Sequence, residues 1–298
     1  MKTAFITKKF RSESLERLDI CNTIIADYMR QGFRLTLRQL YYQLVSRDLI
    51  PNTERSYKNL GNLINDGRLA GQVDWDAIED RLRMPYRISE WTDPGQIMNI
   101  VADSYRLPRW NNQEYYVELW CEKDALAGVL RPIADQFQVT MMVNRGYSSQ
   151  SAMKSAADRM LQALGTAQQC VILYIGDLDP SGEDMVRDIK DRLELMAGYV
   201  RVQKLAITPE QVAQYNPPPN PAKMTDSRAT GFVEKFGRFS YEADALPPNI
   251  LAQVIRDAIE VYRDEVAWTE VETQEEEDKV LLREARDIIM DKRSGNGA

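Results

Sequence analysis

Asp177 and Asp179 flank Leu178 at the end of the apolar run 170–175, within Gly176-Asp177-Leu178-Asp179-Pro180-Ser181-Gly182. Extended backbone sends successive side chains to opposite faces, so the two carboxylates point the same way while Leu178 turns toward the core. Adjacent acids repel unless a cation intervenes. Oxygen-only ligands suit a hard ion, Mg2+ before Ca2+. Glu122, just beyond a second strand-like run at 115–120, supplies a third ligand if the two strands are neighbours. A turn with a helix cap would equally explain Asp179-Pro180-Ser181-Gly182 alone; the matching place of Glu122 favours the cation. Glu118, inside the strand, is read as structural or as support behind the ligands.

A second set of residues lies on a helix from Leu37 to about Asp48. At ~100° per residue, Leu37, Leu40, Tyr41, Leu44 and Val45 share an apolar stripe, which puts Tyr41 in the core. Tyr42 falls about 130° from the centre of that stripe, on a polar face with Arg38 and Ser46. An exposed phenol beside a guanidinium is a candidate nucleophile: its ordinary pKa of ~10 needs help at neutral pH, and Arg38 could stabilise a phenolate and a reacting phosphate. The alternative is a Tyr42 that packs as an amphipathic surface residue.

Composition narrows the choices. The chain has no histidine, which excludes Ser-His-Asp and Cys-His catalysis. Cys21, Cys121 and Cys170 are too few and too far apart for a disulfide framework or a zinc site, and are expected to be buried. Residues 1–70 hold 12 Lys/Arg against 7 Asp/Glu, a net of +5, which leaves −12 for the rest of a chain of net charge −7. A local basic face of this kind serves nucleic-acid binding, although it can equally be a solvated surface. No apolar run is long enough to span a membrane, and the N-terminus lacks the apolar core of a secretory signal, so a cytoplasmic protein is expected.

The elements that must position these residues follow from the patterning. Helices are expected at 13–30, from Leu37 (Thr36 and Gln39 forming a capping box) and at 54–70, with a short wing at 72–78. Strand and helix then alternate from Tyr115 to about Ile207, the rhythm of a mostly parallel sheet flanked by helices. The class is therefore α/β. The expected division is 1–83, a winged-helix (helix-turn-helix) DNA-binding domain bearing the tyrosine helix; 84–113, a connecting segment; 114–215, a metal-binding α/β domain; and 216–298, a mainly helical extension. Segment 240–246 carries carboxylates that could serve the site, but it reads more readily as a surface turn. The acidic run Glu275-Glu276-Glu277-Asp278 reads as a solvated helix face.

Four motifs in order resemble one family. Thr36-Leu37-Arg38-Gln39-Leu40-Tyr41-Tyr42 resembles the catalytic-tyrosine motif of the type IIB topoisomerase A subunit and its meiotic double-strand-break relatives. Cys121-Glu122-Lys123-Asp124-Ala125 is similar to their first Toprim motif, Asn144-Arg145-Gly146-Tyr147 to their Gly-Tyr segment, and Asp177-Leu178-Asp179-Pro180-Ser181-Gly182 to their Asp-x-Asp-Pro-x-Gly motif. The chain departs from the pattern at Gln39, where the family usually has an acid. Its length most resembles the compact stand-alone Mini-A homologues. The resemblance implies a Toprim fold holding Mg2+ on Glu122, Asp177 and Asp179, with Tyr42 as nucleophile and Arg38 as its partner. It also implies a homodimer acting on double-stranded DNA, in which Tyr42 of one subunit meets the carboxylates of the other and forms a 5′-phosphotyrosyl bond. A separate ATPase subunit would be a further partner, since no glycine-rich ATP lid is present. Two other functions fit the residues: a hydrolytic nuclease in which water attacks and Tyr42 only positions DNA, and a non-catalytic DNA-binding regulator.

Overall fold

The computed structural model describes residues 2–78, 88–166, 168–222 and 225–295. Four parallel strands form the central sheet in the order β2-β1-β3-β4: β1 (Tyr115–Cys121), β2 (Thr140–Val143), β3 (Gln169–Ile175) and β4 (Arg201–Ala206). β1 and β3 pair over their full lengths, with Cys121 opposite Ile175. This satisfies the neighbour condition on which a shared Glu122–Asp177–Asp179 site depends.

Alternation along the strands sorts two cores. Val117, Leu119, Cys121, Val171, Leu173 and Ile175 face the helices α5 (Ala127–Gln136) and α10 (Pro248–Glu260). Trp120, Cys170, Ile172 and Tyr174 face α6 (Gln150–Gly165) and α7 (Pro180–Ala197). A sheet covered on both faces requires strands apolar at nearly every position, which is why β3 reads as a continuous hydrophobic run. Residues beyond 216 therefore supply part of this core through α10. Glu118 is the exception on the α6 face: fully buried, it accepts from Tyr116 Oη (2.8 Å), Trp120 Nε1 (2.7 Å) and Arg159 Nε and Nη2 (2.7 and 2.9 Å). Its neutralised position behind the sheet matches a structural role.

The N-terminal helices α1 (Ser12–Arg30), α2 (Leu37–Val45) and α3 (Glu54–Leu69) build a separate core around Leu18, Ile24, Leu40, Leu44, Leu60 and Ile64. The capping box on α2 forms as expected, with Thr36 and Gln39 exchanging hydrogen bonds. Residues 72–78 differ from expectation. They make turns and one isolated bridge, Ile78 to Leu35, and no paired wing among the described residues. The expected boundary at 83/84 lies outside the described residues, as does the tail beyond Gly295.

The remaining helices are α4 (Pro94–Ser104), α8 (Pro209–Tyr215), α9 (Ala229–Phe236) and α11 (Glu265–Ser294); β5 (Asn220–Pro221) and β6 (Phe239–Ser240) form a small antiparallel pair. α11 packs along α4, with Arg283 paired to Asp103 and Arg286 bonded to Asn99. The acidic run on α11 is not uniformly solvated: Glu275 is fully buried. It accepts from Arg109 Nη2 (2.9 Å), Lys279 Nζ (2.8 Å) and the Leu107 N–H (2.9 Å). Helical periodicity places one residue of any such run inward, and here cations come with it. All three cysteines are buried. No helix among the described residues is long and apolar enough to cross a membrane.

Candidate functional site

Parallel strands end together, and their carboxyl edge leaves a crevice in which the following loops converge. Glu122 follows β1 and Asp177 follows β3. The Glu122 N–H donates to the Ile175 carbonyl (2.9 Å), and Glu122 Oε2 accepts from the Asp177 N–H (3.2 Å). Leu178 turns into the core as the alternation requires. Asp179 caps α7, its Oδ1 accepting from the Gly182 N–H (2.6 Å) and Ser181 Oγ (2.8 Å). The helix-cap alternative and the ligand role thus fall on one residue, whose other oxygen keeps its acceptor capacity.

All three acids line one cavity of about 490 Å3, together with Arg38, Lys123, Asn220, Asp226 and Glu242. Asp177 is nearly buried; burial pushes its carboxyl up to about 7, against Lys123 and with the help of Glu122. Among the described residues no three acids are gathered tightly enough to hold a cation as they stand. The reason is visible at Asp177. Its Oδ2 is 2.6 Å from Lys123 Nζ and its Oδ1 accepts from the Ala243 N–H at 2.8 Å. The donor chemistry nevertheless fits a hard cation: three carboxylates share the cavity, and an ammonium already stands where positive charge is wanted.

Sequence patterning assigns no role to Lys123, and it favours a surface turn over a site role for Glu242 and Asp244. The Lys123 ammonium also reaches Glu242 Oε2 (2.9 Å) and Asp244 Oδ1 (3.2 Å). Arg38 approaches the same two acids from the other side, paired to Glu242 and 2.7 Å from Asp244 Oδ2. Segment 240–246 is therefore no surface turn. Tyr241 bridges to Leu178 by two backbone hydrogen bonds (2.9 and 3.0 Å), and Ala243, Asp244 and Ala245 are buried. Small apolar residues on either side of Asp244 were the available signal that this short 3-10 turn packs inward.

Tyr42 corrects the expectation of an exposed phenol: the residue is only 5% exposed and belongs to the N-terminal core. Apolar periodicity reveals only one covered side of α2. In the fold, α1 and α3 cover one side and the turn at Ala243–Ala245 covers the other, so every residue from Gln39 to Val45 is buried. The Arg38 guanidinium lies 5.8 Å from the Tyr42 ring centre and pairs with Glu242. Burial drives the phenol pKa well above its usual value; Glu242 and Asp244 add to this and Arg38 opposes it. Tyr41 packs as expected, with its hydroxyl donating to Asn52 Oδ1 (2.9 Å). A second cavity of about 300 Å3 lies over the two tyrosines and shares Arg38 and Asn220 with the acidic one. A single chain thus links Arg38 and Tyr42 to Asp177 through Glu242, Asp244 and Lys123, without a second subunit. Tyr147 of the Gly-Tyr segment sits apart from this network, bonded to Asp184 (2.5 Å) and Arg228.

No protein-family model and no curated protein matches this chain.

Proposed function

We propose that this chain cleaves DNA by transesterification, as the topoisomerase A-subunit resemblance implies, with Mg2+ held by Glu122, Asp177 and Asp179 and Tyr42 as nucleophile. The observation that carries this reading is the shared cavity: three carboxylates and Arg38 line one cleft at the carboxyl edge of the sheet, beside the Tyr42 phenol. When bound, the cation polarises the scissile phosphate and stabilises the leaving oxygen. Arg38 exchanges its carboxylate partners for the phosphate and offsets the charge that develops there. The Tyr42 oxygen bonds to phosphorus as its proton departs, the bond from phosphorus to the 3′-oxygen breaks, and that oxygen leaves protonated as a hydroxyl. The product is a 5′-phosphotyrosyl bond that the reverse attack can reseal.

Double-stranded DNA fits the basic N-terminal body, which we read as a helix-turn-helix with α3 as its DNA-facing helix. A homodimer, a Toprim assignment for the sheet domain and an ATPase partner belong to the same proposal. Tyr42 must be uncovered before DNA can reach it, so segment 240–246 has to move. That burial also favours a second reading, hydrolysis by water with Tyr42 as a packing residue. Incubating the protein with supercoiled DNA and Mg2+, then denaturing with detergent, separates the two. Transesterification predicts protein-linked cleaved DNA that Tyr42→Phe abolishes. Cleavage that survives Tyr42→Phe and leaves no adduct establishes hydrolysis instead.

A further inference from the structure

Lys123 stands where the acidic cleft meets the cover over Tyr42. We propose that its ammonium is a displaceable occupant of the cation position: a divalent cation in the cleft drives Lys123 off Asp177 and so releases the turn that buries Tyr42. This extends the cation site proposed above and rests on it.

An ammonium has three donors, and here three carboxylates surround it, those of Asp177 (2.6 Å), Glu242 (2.9 Å) and Asp244 (3.2 Å). The other Asp177 oxygen accepts from the Ala243 N–H. Both oxygens of this one acid are therefore committed to groups that fasten the 242–244 turn. Mg2+ takes oxygen ligands at about 2.0–2.1 Å in near-octahedral order. A second positive charge on the same carboxylate oxygen would stand only about 4 Å away, in a cleft where water screens it poorly. Ammonium and divalent cation thus exclude each other at Asp177.

Once displaced, Lys123 keeps only Glu242 and Asp244, the acids that also hold Arg38. Rotation of Asp177 toward the cation leaves the Ala243 N–H without its acceptor. The direct tie between Asp177 and the turn is lost, and the turn's Glu242 pairs with Arg38, whose guanidinium lies 5.8 Å from the Tyr42 ring centre. Loading the cleft and uncovering the phenol become one coupled equilibrium, each favouring the other.

The test uses the full chain without DNA. Mg2+ binding is followed by calorimetry and, in parallel, by hydrogen exchange at residues 240–246. In the wild type, exchange there should rise and saturate at the Mg2+ concentration that saturates the heat. Lys123→Met should bind Mg2+ at least tenfold tighter, about 1.4 kcal/mol, and exchange rapidly in this segment before any Mg2+ is added. Bound Mg2+ that leaves wild-type exchange unchanged overturns the coupling while preserving the cation site. Equal or weaker binding by a folded Lys123→Met overturns the displacement. Absence of Mg2+ heat in both proteins removes the cation site itself, and this inference with it. If Lys123→Met does not fold, the wild-type exchange experiment decides alone.

Discussion

Gly182 has no room for a side chain: a Cβ there would stand 2.3 Å from the Asp177 carbonyl oxygen. That close approach lets α7 start directly beneath the carboxylates, with Asp179 as its cap. Gly182→Ala must push the loop off its strand, and a loss of about 2 kcal/mol is expected in urea unfolding. Glu118 presents the opposite case. Its carboxylate is enclosed and holds donors from Tyr116, Trp120 and Arg159. Glu118→Ala leaves these donors unmatched in the core, and should cost about 3 kcal/mol by the same measurement. Because Glu118 faces α6 rather than the cleft, a Mg2+ heat measured below the unfolding transition should persist in that variant.

At the scale of elements, α11 is fastened through Glu275. Burial raises its carboxyl, but hydrogen bonds from Lys279, Arg109 and the Leu107 N–H outweigh it and hold the group at about 2. A pKa depressed in the fold stabilises above the unfolded value of ~4.3 and ceases to do so as pH falls toward 2. Glu275→Gln should therefore lower the melting temperature at pH 7, and the gap to wild type should narrow as pH drops from about 4.5 to 2.

The helix and strand order of the α/β core was legible in the sequence because apolar period and capping residues agree there: the β3 run, Ser149 before α6 and Thr36 before α2 each mark an element in place. The carboxylate cleft was legible for the same reason, since alternation along β3 fixes where Asp177 and Leu178 point. The surroundings of α2 were not. Whether a polar helical face meets water depends on what the chain brings to it 200 residues later, and the turn at Ala243–Ala245 leaves no periodic trace beside Tyr42. Glu275 was misread on similar grounds: its partners Arg109 and Leu107 come from a distant segment.

The whole molecule joins a basic helical body to an acidic α/β core through one partly buried ion network. Arg38 on one side and Lys123 on the other share Glu242 and Asp244. Opposite charge in the two halves suits the proposed reaction, in which one body would receive DNA and the edge of the other would cleave it. Arg55 and Lys58 lie exposed on α3. Replacing both with Gln should weaken DNA binding without changing the melting temperature, and should reduce the slope of log affinity against log salt by about one per residue. An unchanged slope would place the DNA on another face.

DNA cleavage at the carboxylate cleft is tested most directly by comparing wild type with Asp177→Ala on supercoiled plasmid, with Mg2+ and with chelator. Nicked or linear product is expected from the wild type with Mg2+ alone, and none from the folded Asp177→Ala chain under either condition. Cleavage by Asp177→Ala at the wild-type rate, or wild-type cleavage that persists in chelator, would contradict the account.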